Sequence, residues 1–209
     1  MICPYPIRAR RNFWSLLRWF FVIAGCSLLS CVAYAVLDAT VFEARESLRL
    51  DQKIKQNVLA SPTSQISDSH AQRIPKNGEV LGKIAVKRLG VSVIVMEGFT
   101  PKILRRGVGH VPGTALLGEI GNVALAGHRD TFFRPLEGIK LNDEIILTTA
   151  VTTTRYNVDS VHVVDVDDME ILAPATTSTL TLITCYPFYF VGSAPRRFIV
   201  HASRIAGEY

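Results

Sequence analysis

The stretch TLTLITCYPF, residues 179–188, decides how the rest of the chain is read. Its first half is Thr, Leu and Ile, the composition of a strand with one face buried. It ends on Cys185, and Tyr-Pro-Phe then breaks the extended run. The chain has four cysteines in 209 residues, and the other three, Cys3, Cys26 and Cys31, stand at its N-terminal end. A single cysteine closing a strand has two readings: a buried, inert thiol that packs like a small hydrophobe, or a reactive one. Strand composition alone leaves both open.

Working outward, the region from Gly78 onward has the same character of short β-rich runs punctuated by Gly and Pro. LGKIAVKR and VSVIVMEG flank Leu89-Gly90 and predict a hairpin. TPKILRRG predicts a short helical turn opened by Thr100 and Pro101. GVGHVPGTALLGEIG reads as loop, NVALAGH as a strand, and FFRPLEGI as a turn or 3₁₀ segment. DEIILTTA and TTRYNVDSVHVV predict a second hairpin, and Asn142 suits a tight left-handed turn. DVDDMEILAPATT reads as loop with one helical turn, and RRFIVHAS as a final strand. Seven strands over about 130 residues predict a mainly β barrel or sandwich of largely antiparallel strands.

Upstream, the pattern differs. WFFVIAGCSLLSCVAYAVL, residues 19–37, carries no charge and is long enough to cross a bilayer core as a helix. Arg8, Arg10, Arg11 and Arg18 precede it without an acid, which keeps that side in the cytoplasm. The expected layout is a basic cytoplasmic terminus (1–18), a single transmembrane anchor (19–37), a helical and then flexible spacer (38–77) and an extracytoplasmic domain (78–209). A cleaved signal peptide lacks a good A-x-A site here. A lipoprotein reading of LLSC at 28–31 is opposed by the apolar run that continues past Cys31. The formal charge of +5 resides largely in that terminus, since the remainder holds 19 basic and 18 acidic residues, so nucleic acid is not an expected partner.

A nucleophilic thiol needs a base and an oxyanion stabiliser. Of five histidines, His70 lies in the spacer, His162 and His201 lie within alternating strands, and His110 lies in a Gly-rich loop where a structural hydrogen bond is the expected role. His128 closes the apolar run NVALAG, as Cys185 closes its own strand. Both are expected at one mouth of a barrel. Arg196 and Arg197 precede FIV, and strand parity sends them to opposite faces without saying which faces the site. There is no HExxH, CxxC, Walker or dinucleotide-glycine pattern, so no metal and no cofactor are expected. The acidic loop DVDDMEIL reads as solvated and lacks EF-hand spacing, and calcium stimulation is not predicted.

GNVALAGHRDTFFRPL (121–136), TLTLITCYPF (179–188) and SAPRRFIVHA (193–202), in that order, resemble the sortase family, most closely its class D branch. The resemblance spans about residues 78–203 and implies an eight-stranded sortase β-barrel, one strand more than the seven counted. The long run TTRYNVDSVHVV is the expected source of that difference. It also implies a cysteine transpeptidase with Cys185 as nucleophile, His128 as general acid/base and Arg197 as oxyanion donor. Thr184 matches the family motif beside the nucleophile and is carried over as a substrate-site residue. The implied partners are exported proteins with an LPxT-like C-terminal sorting signal and an amine acceptor such as a peptidoglycan precursor, met at the membrane. The competing readings are an L,D-type transpeptidase, whose Gly- and His-rich surroundings Cys185 lacks, and a non-catalytic anchored β-domain acting as scaffold or receptor.

Overall fold

The structure is a computed structural model that describes residues 17–34, 41, 45, 48, 52, 74–190 and 192–205. The chain divides into two compact units, Met1–Val41 and Phe42–Tyr209. In the first, helix α1, Leu17–Tyr34, has the length and apolar composition to cross a membrane, and none of its residues is buried. Residues 1–16, the end of the expected span at 35–37, and most of the expected spacer (38–77) lie outside the described residues.

The second unit is a closed barrel. Its strands are β1 (Val80–Val86), β2 (Val91–Glu97), β3 (Val108–His110), β4 (Asn122–Ala126), β5 (Glu144–Thr148), β6 (Thr153–Asp165), β7 (Thr179–Tyr186) and β8 (Arg196–Arg204). A short helix, α2 (Pro101–Leu104), and three 3₁₀ turns decorate it. Around the barrel the order is β1-β2-β3-β4-β7-β8-β6-β5, with β5 closing back onto β1. Two neighbours, β2–β3 and β4–β7, pair in parallel, and the rest are antiparallel.

The predicted hairpins, the α2 turn and the left-handed Asn142 (φ 65°) are all present. The eighth strand is β3, inside the stretch read as loop. TTRYNVDSVHVV does not conceal a strand: it lies within the single 13-residue β6, whose pairing with β8 is interrupted by a bulge between Val158 and Ser160. β3 has three residues, too few for a readable alternation, and it is fixed by its neighbours. Val108 pairs with Val95, and Gly109 with Ala126. A side chain at Gly109 would place Cβ 2.2 Å from the Gly98 carbonyl oxygen, so only glycine lets the two backbones pass.

Alternation sorts each strand into a core face and an outer face. Val123 and Leu125, Leu180 and Leu182, and Phe198, Val200 and Ala202 all enter one buried cluster with Ile84, Val95, Ile145 and Tyr156. His110 has the structural role expected of it. Its Nδ1 pairs with Glu97 Oε2 at 2.7 Å and its Nε2–H donates to the Ala115 carbonyl at 2.9 Å. Both side chains are buried, and removing one partner leaves a buried polar group unsatisfied, at a cost of about 1–3 kcal/mol. This contact fixes the loop that delivers the chain into β4.

Candidate active site

β4 and β7 run in parallel with Ala126 beside Ile183, and the Gly127 N–H continues the ladder to the Ile183 carbonyl at 3.0 Å. Two residues beyond that pair stand His128, just past the end of β4, and Cys185 on β7. On the opposite side of β7, Cys185 is directly across from Arg197 of β8, and Tyr186 from Arg196. Directly opposed residues project from the same face of a sheet, so Cys185 and Arg197 share a face. His128, two residues beyond Ala126, stands at the matching step on the other side. The register puts Arg197, and not Arg196, across from Cys185.

The shared face is not the barrel interior. Leu180, Leu182, Phe198 and Val200 point inward, and Cys185 and Arg197 alternate with them. The expectation of a barrel mouth is therefore corrected: the residues stand on the outer wall near the strand ends. All three are partly exposed. The inward parity belongs to Arg196, whose guanidinium lies 5.3 Å from the Tyr186 ring centroid. Tyr186, Phe188 and Phe198 form an aromatic cluster at that end, with centroids 5.1–6.3 Å apart.

Two buried contacts set the backbone below the site. The Thr184 hydroxyl donates to the Gly127 carbonyl at 2.8 Å, joining the residues just before His128 and Cys185. Thr184 is 3% exposed, so it shapes the site from beneath. Gly127 packs against the Phe133 ring, and an added Cβ would meet ring carbons at 2.6–2.9 Å. Phe133 is fully buried and cannot swing away. The Phe133 N–H also donates to the His128 carbonyl at 3.1 Å. The Arg197 guanidinium is tethered to the Ala194 and Arg196 carbonyls at 3.3 and 3.1 Å.

Back along the same outer face, a cavity of about 370 Å³ opens beneath the segment joining β6 to β7. Asn122, Thr181, His201, Ile171 and Ala173 are among its lining residues. Its floor is a polar chain. The Thr181 hydroxyl donates to Asn122 Oδ1 at 2.7 Å and lies 3.0 Å from His201 Nδ1. Asn122 Nδ2 donates to the carbonyls of Ile171 and Ala173, which ties down the covering segment. Burial, and secondarily the neighbouring His162, hold the His201 pKa below its ordinary value, and Asp159 opposes them weakly. Among the described residues, no group of three or more His, Cys, Asp or Glu comes together as a metal site.

Sequence reasoning missed this polar floor and the contacts of Arg129 and Arg134. The signal available was GHRDTFFR, two arginines packed among aromatic residues beside a site histidine.

A Sortase domain model matches residues 84–205, from within β1 to the end of β8, and the chain belongs to the sortase family. It is a cysteine transpeptidase by class. Sortase D of Bacillus subtilis (strain 168) is 27% identical over 190 residues, covering 89% of this chain and 96% of that protein. A solved Sortase D5 transpeptidase of Clostridium perfringens shares the fold at TM-score 0.62 and 24% identity, covering 80% of this chain and 98% of the other. Sortase E from Streptomyces avermitilis is 30% identical at TM-score 0.54, covering 63% and 91% of the two chains. Membership displaces both competing readings, the L,D-type enzyme and the non-catalytic scaffold.

Proposed function

We propose that the chain is a membrane-anchored transpeptidase that cuts an LPxT-like sorting signal through a thioacyl-enzyme on Cys185. The observation that carries this reading is the three-strand register: Arg197 directly across from Cys185, and His128 at the matching step of the parallel neighbour.

The Cys185 thiolate attacks the carbonyl carbon at the scissile peptide bond. Arg197 donates hydrogen bonds to the oxyanion, a fixed charge with forked donors on the face where that oxygen forms. His128 gives its proton to the leaving amine as the C–N bond breaks. In the second step an amine nitrogen attacks the thioester carbonyl, His128 takes its proton, and the C–S bond breaks to regenerate the thiolate. The cavity beneath the β6–β7 segment receives the signal upstream of the cut. Helix α1 anchors the enzyme with its N-terminus in the cytoplasm and its barrel outside, where exported substrates and a peptidoglycan-type amine meet it.

The test is intact-mass measurement of the detergent-solubilised full chain after incubation with a panel of LPxTx peptides. An adduct equal to the peptide through its Thr, absent in Cys185→Ala and released by hydroxylamine, is the expected result. No adduct on any peptide would sink the reading.

A further inference from the structure

Cys185 is followed at once by a segment that two arginines hold from the other side of the site. Arg129 comes directly after His128. Its Nη2 donates to the Phe190 carbonyl at 2.7 Å and to the Gly192 carbonyl at 3.0 Å, and its guanidinium lies 5.7 Å from the Phe190 ring centroid. Arg134, five residues on, donates from Nη1 to the Phe188 carbonyl at 3.1 Å. Its guanidinium stands 3.6 Å from the Tyr189 ring centroid. Both arginines thus combine charge-assisted bonds to main-chain oxygens with a cation–π contact, the pattern that turns a surface loop into a fixed surface. Tyr189 and Phe190 are 76% and 44% exposed, so this held segment presents aromatic surface outward. Arg129 Nη1 is buried with no hydrogen-bond partner among the described residues.

Two directions lead away from Cys185 along its strand. Backward, toward Thr179, lies the cavity under the β6–β7 segment. Forward, past Tyr186, lies the clamped segment. A peptide whose upstream residues fill the cavity places its cut end, the departing amine and the incoming amine against Phe188–Phe190. We infer that Arg129 and Arg134 are positioning residues for the second step: they fix a wall that admits an amine, in preference to water, to the thioester. The inference rests on the thioacyl mechanism above. With an amine, the C–S bond is exchanged for C–N and the amine proton passes to His128. With water, the same bond is exchanged for C–O and the peptide leaves as a free acid. The wall sets the ratio of the two outcomes.

The test loads the full chain in detergent with an LPxTx peptide and supplies triglycine, meso-diaminopimelate or hydroxylamine, with products separated by mass. Arg129→Ala and Arg134→Ala should each lower the ratio of amide to free acid at least tenfold for triglycine or diaminopimelate. The KM for the amine should rise, while the rate of adduct formation falls less than threefold. Hydroxylamine, small enough to need no wall, should release wild type and variants alike. Arg129→Lys keeps the charge without the fork and should restore part of the ratio. A ratio within twofold of wild type in both alanine variants overturns the inference. So does a loss of adduct formation as large as the loss in ratio in whichever alanine variants remain folded. A wild type that acylates but passes its acyl group to neither larger amine also overturns it. A wild type that forms no adduct rejects the mechanism itself, and the inference falls with it.

Discussion

Arg196 and Arg197 are adjacent and chemically identical, yet the barrel gives them different surroundings. Arg197 stands across from Cys185 on the outer wall, and Arg196 stacks over Tyr186. Arg197→Ala should lower kcat/KM for peptide cleavage by about 10²–10³, the usual loss for one oxyanion donor. Arg196→Ala should stay within about tenfold, because it removes one exposed cation–π contact. Steady-state kinetics on both variants decides the assignment, and the reverse ranking would refute it. The proposed pairing of Cys185 with His128 could be drawn from the sequence because each closes an apolar run. The choice of Arg197 over Arg196 came only from the family resemblance, since strand parity does not say which of the two lies opposite the thiol.

At the scale of elements, the buried polar chain under the β6–β7 segment ties stability to acidity. His201 on β8 is held below its ordinary pKa by burial and by His162. The folded barrel therefore favours the neutral ring, while the unfolded chain takes up a proton near the ordinary value of about 6.5. Its contribution is full above that value and is lost as pH falls toward the depressed folded value. Asp143 behaves in the same sense at lower pH. The Arg88 guanidinium bonded to it, aided by the Lys140 N–H, holds its pKa below 3.8 against a smaller burial effect. Urea midpoints should thus be flat above pH 7 and decline in two stages on acidification. His201→Gln should remove the first stage and Asp143→Asn the second; a first stage that survives His201→Gln would exclude this account. Hairpins and turns here were legible because Gly90, Asn142 and two-residue alternation are local signals. β3 was not, because a three-residue strand is defined by partners at Val95 and Ala126 that no sequence window contains.

For the whole molecule, the charge-free segment at 19–37 and the described helix Leu17–Tyr34 coincide over most of their length. The barrel begins at Val80 and closes on itself. A chain starting at residue 76 should therefore remain monomeric in detergent-free buffer and retain peptide acylation. Size exclusion followed by the mass assay checks this, and an aggregated or inert product would refute the boundary at 78. The sequence foretold a β-barrel but placed the site at its mouth. The outer wall became visible only once the core cluster showed which alternate residues face inward.

The parallel pairing of β4 with β7 has a kinetic consequence. β5 and β6 intervene along the chain between them, and β8 follows. Nothing local brings His128 beside Cys185, whereas Cys185 and Arg197 meet across the β7–β8 hairpin. Contacts that close such long loops form late and make a barrel slow to fold. In a nascent chain the Cys185 thiol thus stands apart from His128 until β7 docks beside β4. Enzymatic competence in this design is a report that folding has finished.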